Sequence, residues 1–156
     1  MKGSISFICF ICLTYLSFLS ACGTASARES VHEPWMKEPN SKLFAYFRDI
    51  HPYKEVILWL EGDFNADGID DLVVVYRKNP DENQKVTVFS YGNGFKLTEP
   101  IPAPFEDVTL ERRNIDGLDP YELIISGRRG INHGLGVLRF VEKQWIDLFG
   151  GLEDCC

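Results

Sequence analysis

Past Val56 the chain sets short apolar bursts between clusters of Gly, Asn, Asp and Pro, and the bursts are rich in β-branched and aromatic residues. "EVILWLEGDF" and "DLVVVYRK" are near-continuous runs. "KVTVFSYGNGFKL" alternates and contains Gly92-Asn93-Gly94, a hairpin turn signal. "YELIISGRRG", "GVLRFVEKQW" and "WIDLFG" continue the same texture. One stretch departs from it. Ser41 is placed to cap a short helix with Leu43, Phe44 and Phe47 along one side, and Pro52 closes it. The pattern predicts a mainly β chain with one short N-terminal helix.

The bursts also repeat. "NADGIDDLVVVY" lines up with "NIDGLDPYELIISG", pairing Asn65 with Asn114, Asp67 with Asp116 and Gly68 with Gly117. A two-residue insertion near Pro120-Tyr121 then pairs Asp71 with Glu122, Leu72 with Leu123, Val86 with Val137 and Phe89 with Phe140, and Phe95 falls opposite Trp145. The period is that of a propeller blade. Two blades cannot close a ring, so the expectation is two blade-like antiparallel repeats packed together, with the helix covering an edge.

The first residues read differently. Met1-Lys2 is a basic start and Ile5 to Phe18 an apolar run too short to span a bilayer comfortably. Leu19-Ser20-Ala21-Cys22-Gly23 follows and resembles a bacterial lipobox. That likeness implies cleavage before Cys22 and a diacylglyceryl group on its sulfur, whose acyl chains hold the protein to a leaflet. The organisation expected is a lipoprotein signal peptide over 1–21, a lipid-proximal tether over 22–40, a β-repeat domain over 41–149, and a flexible tail over 150–156 that swings on Gly150-Gly151. The protein would be a bacterial cell-membrane lipoprotein on the extracytoplasmic face. Cys9 and Cys12 leave with the signal and Cys22 is taken by lipid, so Cys155 and Cys156 are the only free thiols of the mature chain. A net charge of −7 argues against nucleic acid and for cations as partners.

The sharpest motif is "GDFNADGIDDLVVV". Asp63, Asn65, Asp67 and Asp71 stand at positions 1, 3, 5 and 9 of one loop, and Ile69 at position 7 offers its carbonyl. Oxygen donors in this alternation suit a hard cation with six to eight ligands, so structural Ca²⁺ is expected; no Cys or His stands by for Zn²⁺. An EF-hand is excluded because position 12 is Val74 and the flanks read as strand. The loop resembles the D-x-N-x-D-G-x-x-D turns of FG-GAP and VCBS repeats, over about Val56 to Phe149. In the second copy Arg112 takes the first ligand position, and Arg112 or Arg113 is expected to supply there the charge that Ca²⁺ supplies in the first.

No catalytic constellation stands out. His32, His51 and His133 form no metal motif, and there is no nucleophile elbow or P-loop. "GINHGLG" after Arg128-Arg129 reads as a hairpin loop more readily than as an anion site. Trp59, Phe89, Phe95, Phe140 and Trp145 read as core. Cys155 and Cys156 remain. Glu153 and Asp154 beside them disfavour thiolates, which makes the pair a poor spontaneous nucleophile. A thiophilic ion such as Cu(I), Hg(II) or Cd(II) displaces the protons regardless. Lipobox, small β domain and Cys-Cys end together resemble the Cys-Cys-COOH (seleno)protein family SaoC, associated with a selenocysteine-assisted organometal system. The resemblance implies that Cys155 and Cys156 are the working residues and that organomercury-like species are handled with a thiol or transporter partner. Sulfur stands at both positions here. Two other readings stay open: a calcium-stabilised surface binding module, and a thiol–disulfide exchange protein.

Overall fold

The computed structural model describes residues 41–152. The stretches expected to be a signal peptide and a tether, with Cys22, and Cys155 and Cys156 lie outside the described residues. The chain is mainly β, with a single helix α1 (Lys42–Ile50) and nine strands among the described residues: β1 (Val56–Gly62), β2 (Asp71–Asn79), β3 (Glu82–Tyr91), β4 (Gly94–Leu97), β5 (Ile101–Ala103), β6 (Glu106–Arg113), β7 (Glu122–Arg129), β8 (Asn132–Val141) and β9 (Gln144–Asp147).

The helix forms where its cap permits. Ser41 is extended, its hydroxyl accepts from Phe44 N at 3.2 Å, and the His51 amide closes the other end on Phe47 O. Leu43, Phe44 and Phe47 are its buried side. The strands form two antiparallel meanders. The first sheet has the order β1-β2-β3-β4, with β5 further along the same edge of β3; the second has the order β6-β7-β8-β9.

The layers run helix, first sheet, second sheet. Leu72, Val74, Tyr76, Val86 and Val88 meet α1. Leu58, Val73, Val75 and Phe89 point the other way and meet Leu123, Ile125 and Leu138 of the second sheet. The first sheet is thus covered on both faces, which is why "LVVVY" runs without alternation. The helix therefore lies on a sheet face, not over an edge as the sequence suggested. Five apolar side chains on that face would otherwise be wet, at about 1.5–3 kcal/mol each.

The repeat is real but its register differs from the one read in the sequence. Gly62 pairs with Asp71, and Arg113 with Glu122, so the two loops have equal length and there is no insertion. Phe64 therefore corresponds to Ile115, Asn65 to Asp116, Ala66 to Gly117 and Asp67 to Leu118. One residue is lost later. The β2–β3 hairpin carries a register shift between Arg77 and Asn79 that the β7–β8 hairpin lacks. Leu72 faces Val88 and Leu123 faces Leu138, so Phe89 corresponds to Arg139 and Thr87 to Val137. Phe95 and Trp145 do correspond.

Candidate functional site

The acidic loop joins β1 to β2 and closes on its own backbone. Asp63 accepts from the amides of Asn65 at 3.3 Å, Asp67 at 3.2 Å and Gly68 at 2.8 Å. Asn65 Oδ1 accepts from Asp67 N at 2.9 Å, and Asp67 Oδ1 from Ile69 N at 2.9 Å. Gly68 takes the turn at φ +80°, where a side chain would be strained. Asp71 closes the loop from below: it is fully buried, its Oδ2 accepts from Phe64 N at 3.1 Å and its Oδ1 from Ser90 N at 3.0 Å. The structure thus gathers Asp63, Asn65, Asp67 and Asp71 around one turn, with Ile69 half-exposed at its rim.

No Lys or Arg pairs with these carboxylates among the described residues. Burial pushes the Asp71 carboxyl up to about 7, against the pull of its two amide partners, and the charges of Asp67 and Asp63 add to the rise. Among the described residues no three or more His, Cys, Asp or Glu side chains are gathered as metal ligands, because the loop oxygens are turned to the backbone amides. The donor set itself is all oxygen and carries an uncompensated negative charge, which fits a hard cation.

The second loop solves the same problem with a side chain. Glu122, also fully buried, accepts from Ile115 N at 2.8 Å, as Asp71 does from Phe64. Its other oxygen meets the guanidinium of Arg139, whose Nε donates at 2.8 Å and whose Nη2 also reaches Glu122 and, at 2.7 Å, Asp116. The hydrogen bond from this guanidinium holds the Asp116 carboxyl below its usual range. Arg139 is therefore the built-in cation. Arg112 and Arg113, expected in that role, are engaged elsewhere. Arg112 donates to Glu61 O at 3.2 Å and lies over Tyr121, and Arg113 pairs with Glu111 at 2.6 Å. Sequence reasoning missed Arg139 because it is contributed from β8, by a strand pairing that no local spacing reveals.

The chain after β9 is held in place up to Leu152. Asp147 accepts from the amides of Phe149 at 3.1 Å and Leu152 at 3.2 Å. Leu152 packs against the core between the sheets, over Gly136, where any Cβ would collide with its side chain; a Cβ on Gly151 would strike Leu135 O. The expected Gly150-Gly151 hinge is instead a docked turn, with Gly150 at φ +67°. In the first repeat β5 runs along β3 at the corresponding place.

The histidines are separated. His51 stacks on Tyr76 beneath α1, at 5.3 Å between ring centres, and burial, then the nearby Lys54, lower its pKa. His133 lies on β8, across from Arg128, so "GINHGLG" is the β7–β8 hairpin. An open groove of about 380 Å³ beside His133 is lined by Asp107, Ser126, Gly127, Gly134 and Leu135. Phe89 is core between the sheets, with Phe140 and Trp145 half-buried against that cluster, while Trp59 and Phe95 are half-buried against the cluster under α1. One further residue escaped the sequence. Lys85 is 1 % exposed between the sheets, its Nζ has no hydrogen-bond partner, and it lies 4.1 Å from the centre of the Trp145 ring.

No protein-family model, curated protein or solved structure matches the chain.

Proposed function

We propose that this is a lipid-anchored extracytoplasmic protein with a two-repeat β domain, whose Cys155 and Cys156 thiols bind or pass on a thiophilic metal or organometal species. The observation that carries the reading is the docking of Gly151 and Leu152 against β8. Cys155 and Cys156 follow Leu152 by three and four residues along the chain. Two soft sulfur donors favour Hg(II), Cd(II) or Cu(I) over hard cations. The likeness of the sequence to the SaoC family supports an organomercury-type cargo and a thiol or transporter partner.

A second reading, that the domain is a calcium-stabilised surface module of FG-GAP or VCBS type, is favoured by the un-neutralised first loop. Asp63, Asn65, Asp67 and Asp71, with the Ile69 carbonyl, would hold Ca²⁺ there, and the ion would supply the positive charge that Arg139 supplies in the second loop. The two readings are compatible: one concerns the scaffold, the other its cargo. Titration with Hg²⁺ beside a Cys155→Ser, Cys156→Ser variant tests the first. Submicromolar binding that the variant loses is expected; equal, weak binding by both proteins refutes it.

A further inference from the structure

The second repeat follows the first past its last hairpin. Leu148 N donates to Val137 O at 2.9 Å, as Thr98 N does to Thr87 O at 2.9 Å. Gly151 lies against Leu135 O, and its counterpart Ile101 pairs with Lys85, the counterpart of Leu135. Leu152 then stands where Pro102 stands. In the first repeat the chain goes on. Ala103 pairs with Asn83 and completes β5, and the Asn83 side chain donates to the next two carbonyls, Pro104 O at 2.7 Å and Phe105 O at 3.1 Å. On the second sheet His133 holds the place of Asn83, across from Arg128 as Asn83 is across from Arg77. Among the described residues no strand pairs with the β9 side of β8 from Asn132 to Gly134. Val137 O faces Leu148, and alternate residues of a strand face the same edge, so the main-chain N–H and C=O of His133 are turned to this open side. An open edge of this kind is a template for one more strand.

We propose that this edge is the docking site of the chain's own next residues, which add to β8 in the register that β5 takes on β3: Glu153 pairs with His133, and Asp154 with Asn132. Continuity selects the occupant, because Gly151 and Leu152 already enter along the same edge. Side-chain chemistry agrees. Paired residues share a face, so Glu153 comes beside the His133 imidazole, an acid against a group that can carry positive charge. Arg128, next across, already meets Glu106 and Asp107. Position 155 is the counterpart of Phe105, over whose ring the Arg77 guanidinium lies at 4.5 Å. The added strand therefore brings Cys155 and Cys156 to the Arg128–His133 end of the second sheet, beside the open groove whose wall includes His133 and Gly134. The inference deepens the thiol reading above and rests on it for its purpose: a partner that takes up a soft metal meets the two thiols at one place on the domain.

Nuclear magnetic resonance of the full chain in detergent micelles, with reductant to keep thiols from linking chains, tests this beside a variant ending at Leu152. The His133 amide is expected to exchange about tenfold or more slowly in the full chain than in the variant, while the Gly134 amide, turned to β7, exchanges alike in both. A second measurement needs no variant. In the full chain an α-proton contact between Asn132 and Asp154 is expected, as across any antiparallel pair without direct hydrogen bonds. Equal His133 exchange in the two proteins, or no contact between Asn132 and Asp154 where that between Gly134 and Leu152 is seen, overturns the proposal. The Hg²⁺ titration reports on the thiols wherever they lie, so the docking and the thiol reading can each fail without the other.

Discussion

The two loops are one design carried out twice. Each has the same length, the same buried acid at the start of the following strand, and the same amide handed to that acid, from Phe64 to Asp71 and from Ile115 to Glu122. They differ in what balances the charge. The second brings Arg139 across from β8. The first has Phe89 at that strand position, buried in the core, and keeps three carboxylates around one turn. A buried acid with a tethered guanidinium is complete in itself; one crowded by other acids is completed by a proton or a cation.

That contrast can be broken first from the second loop. Arg139→Met leaves Glu122 buried and unpaired, and is expected to cause the largest loss of urea resistance in this series. Adding Glu122→Gln should restore part of it, because the stranded charge goes with the arginine; a double variant no better than the single would break the comparison.

The first loop answers to pH. Asp71 titrates near 7 when folded and near 4 when unfolded, so between these values the folded state binds more protons and its stability falls as pH rises. Without divalent cations the domain should lose roughly 3 kcal/mol from pH 4 to pH 8 through this group alone, and Asp71→Asn should remove the slope. A cation bound to the carboxylate reverses the preference. With calcium present, stability should hold or rise over the same range, as melting at a series of pH values will show.

A smaller effect separates the sheets. Lys85 and Leu135 hold corresponding places, and the lysine is the one buried. Burial lowers its pKa well below the usual value, while the Trp145 face offsets part of the cost. The unfolded chain therefore binds the proton more readily, and stability rises with pH up to about 10. Lys85→Leu, the residue of the second repeat, should stabilise the domain by about 1–3 kcal/mol at pH 7 and abolish that rise. Smaller again, Leu152→Ala should cost about 1–2 kcal/mol, since this side chain is only part-buried over Gly136. No change in the denaturation midpoint would mean that the docked turn is not held by its packing.

Much of this was legible in the chain. β-branched bursts and Gly-Asn-Gly gave strands and a hairpin, Ser41 gave the helix, and the repeat was visible as letters. Its register was not. The two Asp-Gly pairs invite alignment of Gly68 with Gly117, yet strand pairing sets Gly117 against Ala66, both with positive φ. Turn residues identify a turn, while hydrogen-bond register decides which positions in it correspond. The burial of Lys85 could not be read from the chain, because nothing local says that both faces of that sheet are covered. Gly150-Gly151 read as a hinge because glycine permits motion and also permits close approach, and only the neighbour, Leu135, decides which.

Calcium binding by the first loop is the claim on which the comparison rests, and a calcium titration followed by thermal melting at pH 7.5 tests it most directly. The wild type should gain about 3 kcal/mol at a hundredfold excess over Kd. Asp63→Ala should lose that calcium-dependent gain, whatever its stability without the ion, and Asp116→Ala in the second loop should keep it. A wild type whose melting is indifferent to calcium, or an Asp63→Ala variant that responds as the wild type does, would contradict the account.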